Sequence, residues 1–295
     1  MMSLSTLLSM WLVLMTPLYS VTPQSQPSAE SVEAPADAVL PGFRSHVEPV
    51  AGGRIDWTKG VILAEGTGRA RNTSPRQKLM ALRAAELVAA RNALAVAHGI
   101  RIDASGRVEA IRDGRLRVQG MVQGQRTVRT NWQPYARPPQ ARVTLEVPLW
   151  GAHGVGTFLQ QSRQASARAG RPRIALAQQT VAAPPATVVF DARGLDVRAC
   201  LLPAVIDTAG RVLFDEATVA PAASRGSPPI RYVEWDATIE PTDETVRVIK
   251  VSALAGAEGT ELVVSENAAE RLARDPRAVA ALRAGRVYVA VGPRE

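Results

Sequence analysis

The side chains most able to do chemistry are few in this chain, and they stand far apart. There are three histidines, His46, His98 and His153, and no pair has the i, i+4 spacing that puts two imidazoles on one metal. There is one cysteine, Cys200, so no internal disulfide can form. Its neighbours Ala199 and Leu201 mark it as a small buried hydrophobe rather than a reactive thiol. The stretch "VPLWGAHGVGTFLQ" leads from a strand into Gly151, Gly154 and Gly156. That spacing is not G-x-G-x-x-G, and no Lys-Ser/Thr follows to hold a phosphate. Asp191, Asp196 and Asp207 lie beside glycines in turns, and turn chemistry accounts for them. No serine or cysteine sits in a G-x-S-x-G elbow. The residues therefore select no catalytic, cofactor or metal site, and a non-enzymatic protein without cofactors is the expectation.

Charge is unevenly spread. Residues 54–150 hold 17 basic and 7 acidic side chains, residues 151–186 hold 4 and none, and residues 187–295 hold 13 and 16. Only Lys59, Lys78 and Lys250 are lysines; the other basic residues are Arg, a bias that also follows from a GC-rich coding sequence. A basic first half suits an anionic envelope polymer or nucleic acid. Aromatic residues are not interleaved with the basic ones, so nucleic acid is disfavoured.

Residues 1–20 carry no charge, and Leu4 to Leu18 is an apolar run too short for a comfortable membrane span. It reads as the core of an export signal with Ser20 before the cleavage point, which places the protein in the periplasm or at the outer membrane. Residues 21–53 are rich in Pro, Ser and acid and read as a disordered linker.

Structure is expected from Arg54. "RIDWTKGVILAEGTGRAR" is a hairpin around Lys59-Gly60, ended by Gly66 and Gly68. A long Ala-rich helix follows, with Ser74 as N-cap, Pro75 in the first turn and Gly99 as C-terminal cap. "IRID" is a strand, and "RLRVQGMVQGQRTVRT" a strand interrupted at Gly120 and Gly124. "ARVTLEVPLW" is the clearest strand, with Val143, Leu145 and Val147 on one face. A short helix is expected from Thr157 to Ala167. The fold class is α+β: two small α/β domains, 54–160 and 187–295, joined by a linker over 161–186. The first is a mostly antiparallel sheet covered by the one long helix. In the second, "ATVVFD" and "VRACLLPAVI" read as strands, Thr208-Ala209-Gly210 as a tight turn and 216–244 as irregular. Helices open at Ser265 and Pro276, and "RVYVAVG" closes the chain as a strand.

The long helix is expected to lay Leu82, Val88, Ala89 and Val96 on the sheet. Its opposite face mixes Met80, Leu87 and Leu94 with Arg83, Glu86 and Arg91. Apolar anchors within a charged rim fit a subunit or domain contact. Met80, Arg83, Leu87, Arg91 and Leu94 are the candidate interaction face. A neighbouring segment of the same chain covering it is the alternative.

The succession "WTKGVILAEGTGR", "ALRAAELVAARNALA", "GIRID", "RVQGMVQGQRTV" and "ARVTLEVPLWG" resembles the N-terminal domain of the flagellar assembly protein FlgT and FlgP-like outer-membrane lipoproteins, over about residues 54–156. The second half is similar to a domain that accompanies this module in exported proteins of unassigned role. The resemblance implies a bacterial envelope protein that works through protein partners, self-assembly included, with outer-membrane or peptidoglycan contact. It brings no catalytic residues. The chain lacks the lipid-anchoring Cys of the lipoprotein branch, and its link between "GIRID" and "RVQGMV" is short.

Overall fold

Gly66 and Gly68 explain the first layer. The structure, a computed structural model, describes residues 42–103, 106–107, 124–152, 154–157, 159, 170–178, 186–220, 223, 227–235, 246–256 and 259–292. Its first half contains β1 (Phe43–Ser45), β2 (Val47–Val50), β3 (Gly53–Asp56), β4 (Val61–Arg69), α1 (Pro75–Gly99), β5 (Arg101–Asp103), β6 (Gly106–Arg107), β7 (Arg126–Gln133) and β8 (Gln140–Pro148). Strands β2-β3-β4-β8-β7 form one antiparallel sheet. The two glycines lie inside β4 and face the helix rather than ending the strand. A Cβ on Gly66 would stand 2.1 Å from the Ala85 carbonyl oxygen, and one on Gly68 2.0 Å from that of Ala81. Helix and strand thus meet backbone to backbone. The buried ridge of α1 is accordingly Ala81, Ala85, Ala89, Ala93, Val96 and Ala97. Asn92 adds a bond from its amide to the Glu65 carbonyl, 2.7 Å.

Ala89 and Val96 are buried on this side as expected, but the other two residues of the expected face are not. Val88 stays exposed on the flank, and Leu82 is half-buried. Ser74 holds the N-cap position, but its hydroxyl donates to Asn72 Oδ1 (2.7 Å) instead of capping the helix. At the other end Gly99 is helical, and Ile100 ends the helix in extended backbone.

The second half contains β9 (Thr187–Asp191), β10 (Ala204–Asp207), β11 (Val212–Phe214), β12 (Arg231–Trp235), β13 (Val246–Lys250), β14 (Ala253–Ala255), β15 (Glu261–Val264), α2 (Glu266–Arg274), α3 (Pro276–Arg283) and β16 (Val287–Val291). One sheet has the order β1-β12-β16-β9-β13, with β12, β16, β9 and β13 parallel. Another has the order β11-β10-β15-β14. The class is mixed α+β with several sheets. Helices α2 and α3 begin where expected: the Ser265 hydroxyl accepts from Ala268 N, and the Asp275 carboxylate accepts from the N–H groups of Arg277 and Ala278.

Four sequence expectations change. The stretch 21–53 is not linker throughout, because Phe43–Ser45 pairs antiparallel with β12 and Val47–Val50 pairs with β3. The expected linker 161–186 is tied down where it is described. Ile174 N donates to Val212 O (2.9 Å), Ala177 N to Ala273 O (2.9 Å), and Arg173 forks onto Asp215 at 2.6 and 2.8 Å. Within 216–244, expected to be irregular, lies β12, an interior strand of its sheet, with the fully buried Tyr232. "VRACLLPAVI" is extended only from Ala204. The export signal, the linker up to residue 41, Gly120, His153 and most of the helix expected over 157–167 lie outside the described residues.

Candidate functional site

The outer face of α1 is open along three turns. Leu87 is 74% exposed, Leu79 63% and Met80 56%, with Arg83, Glu86 and Arg91 exposed around them. Leu94 does not belong to this face. It is half-buried and packs on the main core, because the helix sinks between the two halves near its C-terminus. The structure therefore groups Met80, Arg83, Leu87 and Arg91 and separates Leu94. Sequence reasoning missed Leu79 and Val88. Their signal was present, since the Ala81-Ala85-Ala89 ridge opposite Gly66 and Gly68 fixes which side of the helix faces outward. Among the described residues no carboxylate lies within salt-bridge distance of Arg83 or Arg91.

The same module has a second open face, on the side of its sheet away from α1. Register places Arg54, Leu63, Glu146 and Arg126 in one cross-strand row. Glu65, Thr144 and Arg129 form the next, then Thr67, Arg142 and Asn131, then Arg69, Gln140 and Gln133. Arg54 pairs with Glu65 at 3.4 Å and Arg126 with Glu146 at 2.6 Å.

A half-open hollow of about 260 Å³ lies between the end of α1 and β2, β3 and β5, lined by Glu48, Val50, Ile55, Trp57, Val96 and Arg101 among others. Its polar groups are turned on each other. The Glu48 carboxylate accepts from Trp57 Nε1 (2.8 Å) and from Arg101 Nη2 (2.7 and 2.8 Å).

The residues singled out for chemistry take structural roles. Gly156 N donates to Leu149 O (2.8 Å) and Gly154 N to Gly151 O (3.1 Å), so that loop's N–H groups close the loop on itself around the Trp150 ring. Asp207 accepts from Ala209 N, Arg211 N and Arg211 Nε. Asp191 accepts from Arg193 N and Nε. His46 Nδ1 is 3.4 Å from Glu234 Oε1, whereas His98 lies in the last turn of α1. Cys200 is buried, with Sγ 3.6 Å from the Tyr232 hydroxyl, whose oxygen accepts from Cys200 N at 3.2 Å. Burial, and then the thiol beside it, push the Tyr232 phenol well above its ordinary pKa.

No curated protein matches the chain. Residues 187–293, from β9 through β16, match the family model of the second domain of Treponema pallidum Tp0624.

Proposed function

We propose that this chain is a non-enzymatic, exported envelope protein that acts as a structural or assembly module through protein–protein contact. The outer face of α1 is the contact surface. The carrying observation is the row of exposed Leu79, Met80 and Leu87 on a helix whose other side is already seated against β4. Exposed apolar side chains on an ordered helix gain by being buried against a partner, and their charged neighbours supply a rim. The resemblance of residues 54–156 to the FlgT N-terminal domain and FlgP-like proteins supports the same reading, with a ring-forming or outer-membrane-associated role. The uncharged apolar segment 1–20 supports export.

Two measurements test it. Leu87→Asp is expected to leave a folded chain with an unchanged melting temperature and to abolish the higher-mass species that in-cell crosslinking captures from the wild type. Equal crosslinking of wild type and variant would remove α1 as the contact. Mass spectrometry of the envelope fraction is expected to find residues 1–20 removed. An intact Met1 in the cytoplasmic fraction would refute export.

A further inference from the structure

The geometry points to the open face of the β2-β3-β4-β8-β7 sheet as a binding track for an acidic polysaccharide. Three arginines on this face, Arg69 on β4, Arg142 on β8 and Arg129 on β7, are exposed. Each is the diagonal neighbour of the next. Arg69 stands opposite Gln140, two residues from Arg142, and Arg129 stands opposite Thr144, two residues beyond Arg142. Diagonal neighbours across an antiparallel pair are about 7–8 Å apart. The three arginines thus step across three strands in a line oblique to the strand direction. Among the described residues none has a carboxylate within salt-bridge distance, while Arg54 and Arg126 on the same face have Glu65 and Glu146.

The backbone bends to make this line. Register slips between Thr127 and Arg129, leaving Val128 as an extra residue. With unbroken alternation from Arg126, Arg129 would turn toward the helix side beside Val143. The bulge returns it to the open face. Bulges re-aim side chains in this way, and here the re-aimed side chain is the third cation.

The chemistry between the cations selects the ligand. Thr67, Asn131 and the Gln140–Gln133 pair, whose amides are joined by a bond from Gln140 Nε2 to Gln133 Oε1 (2.7 Å), flank the line with hydroxyl and amide groups that bond sugar hydroxyls. No position of the four rows is aromatic, so the face offers no platform for stacking successive bases. The rows also offer only Leu63 as a large apolar side chain, too little to anchor in a lipid surface. Planar guanidiniums take a carboxylate in a two-point grip. A linear glycan with one carboxylate per repeat or every second repeat meets the line. This surface lies on the opposite side of the module from Leu87 and does not depend on the assembly contact.

The test uses the purified full-length chain and polygalacturonate as the probe, with poly(dT) and phosphatidylglycerol vesicles as competitors at equal charge concentration. Polygalacturonate is expected to bind, to weaken about tenfold or more between low and physiological salt, and to outcompete both alternatives. Arg69→Gln/Arg129→Gln/Arg142→Gln is expected to lose at least about tenfold in affinity at an unchanged melting temperature, a three-cation loss. Arg129→Glu alone gives a second reading of the same face, several-fold weaker. Leu87→Asp should bind like wild type. Undiminished binding by the arginine variants, absence of polygalacturonate binding, or preference for poly(dT) or vesicles each overturns the proposal.

Discussion

Gly66 and Gly68 set how closely α1 approaches β4. Each lies where a Cβ would be driven onto a helix carbonyl, so the contact admits only glycine on the strand. Gly66→Ala or Gly68→Ala is expected to destabilise the protein by about 3 kcal/mol or more, because a closely packed interior relieves such overlap only by moving backbone. Chemical denaturation of either variant checks this, and a loss under about 1 kcal/mol would mean that the helix can lift off the sheet freely. Tyr232 makes the second residue-scale case. Its phenol is buried, accepts from Cys200 N and donates to Cys200 O, so Tyr232→Phe removes both bonds and is expected to cost about 1–3 kcal/mol. Because the folded pKa is raised, the stability tied to the neutral phenol is fully present below its unfolded value near 10. It is lost as the pH rises from there toward the folded value. Alkaline melting curves should fall less steeply for Tyr232→Phe than for wild type; parallel curves would contradict the shift.

At the scale of elements, the junction of α2 and α3 rests on Asp275. The residue ends one helix and caps the next, and Arg247 Nε on β13 reaches its carboxylate at 2.9 Å. Burial alone would raise its pKa. The Arg247 hydrogen bond and the N–H groups of Arg277 and Ala278 outweigh burial and leave the carboxyl below its ordinary value. A depressed carboxylate stabilises the fold above its unfolded pKa and loses that effect as the pH falls through the folded one, here below about 4. Asp275→Ala is expected to cost about 1–2 kcal/mol near neutral pH, within the range of a lost N-cap. Asp275→Asn keeps a capping oxygen and loses the ion pair. Its melting temperature should converge on that of wild type as the pH drops below about 4, and a constant gap would show that the charge is irrelevant. The two helix starts were legible in the sequence, because Ser265 and Pro276 are local start signals; the capping role of Asp275 was not read. The alternation that buries Val143, Leu145 and Val147 on β8 was legible too. The orientation of α1 was legible in part: Ala89 and Val96 lie on the buried side as expected, while the two helix-facing glycines of β4 seat the alanine ridge and leave Val88 on the flank. β12 was also missed, since the strands that hydrogen-bond "RYVEW" on its two sides, β16 and the N-terminal β1, are distant in sequence. Met80, Arg83, Leu87 and Arg91 of the candidate face are exposed together, as the helical period predicts. The expectation failed at Leu94, where the neighbouring half of the molecule supplies the cover.

Over the whole molecule, residues 39–295 form one compact unit. A single buried cluster runs from Ile55, Trp57, Ala93, Val96 and Ile102 to Phe190, Leu202, Tyr232 and Val287. The Trp57 and Tyr232 rings meet edge to face at 5.9 Å, and the Thr58 hydroxyl donates to Tyr232 O. Backbone bonds join Leu201 N to Arg101 O (3.0 Å) and Leu202 N to Ile102 O (2.7 Å). β1 completes the binding by joining the sheet of the second half. Neither half can open along this seam without exposing a shared core, so unfolding is expected to be a single cooperative transition despite the length of the chain. Cys200 reports from the second half, next to the Tyr232 hydroxyl. Trp57→Ala, made in the first half, removes a ring 4% exposed and is expected to cost about 3–5 kcal/mol. Denaturant titrations of that variant should move the midpoint of Cys200 thiol labelling and the midpoint of far-ultraviolet ellipticity together and by the same amount. If labelling of Cys200 keeps its wild-type midpoint while ellipticity splits into two steps, the halves fold independently, and the core that joins them contributes contact without coupling.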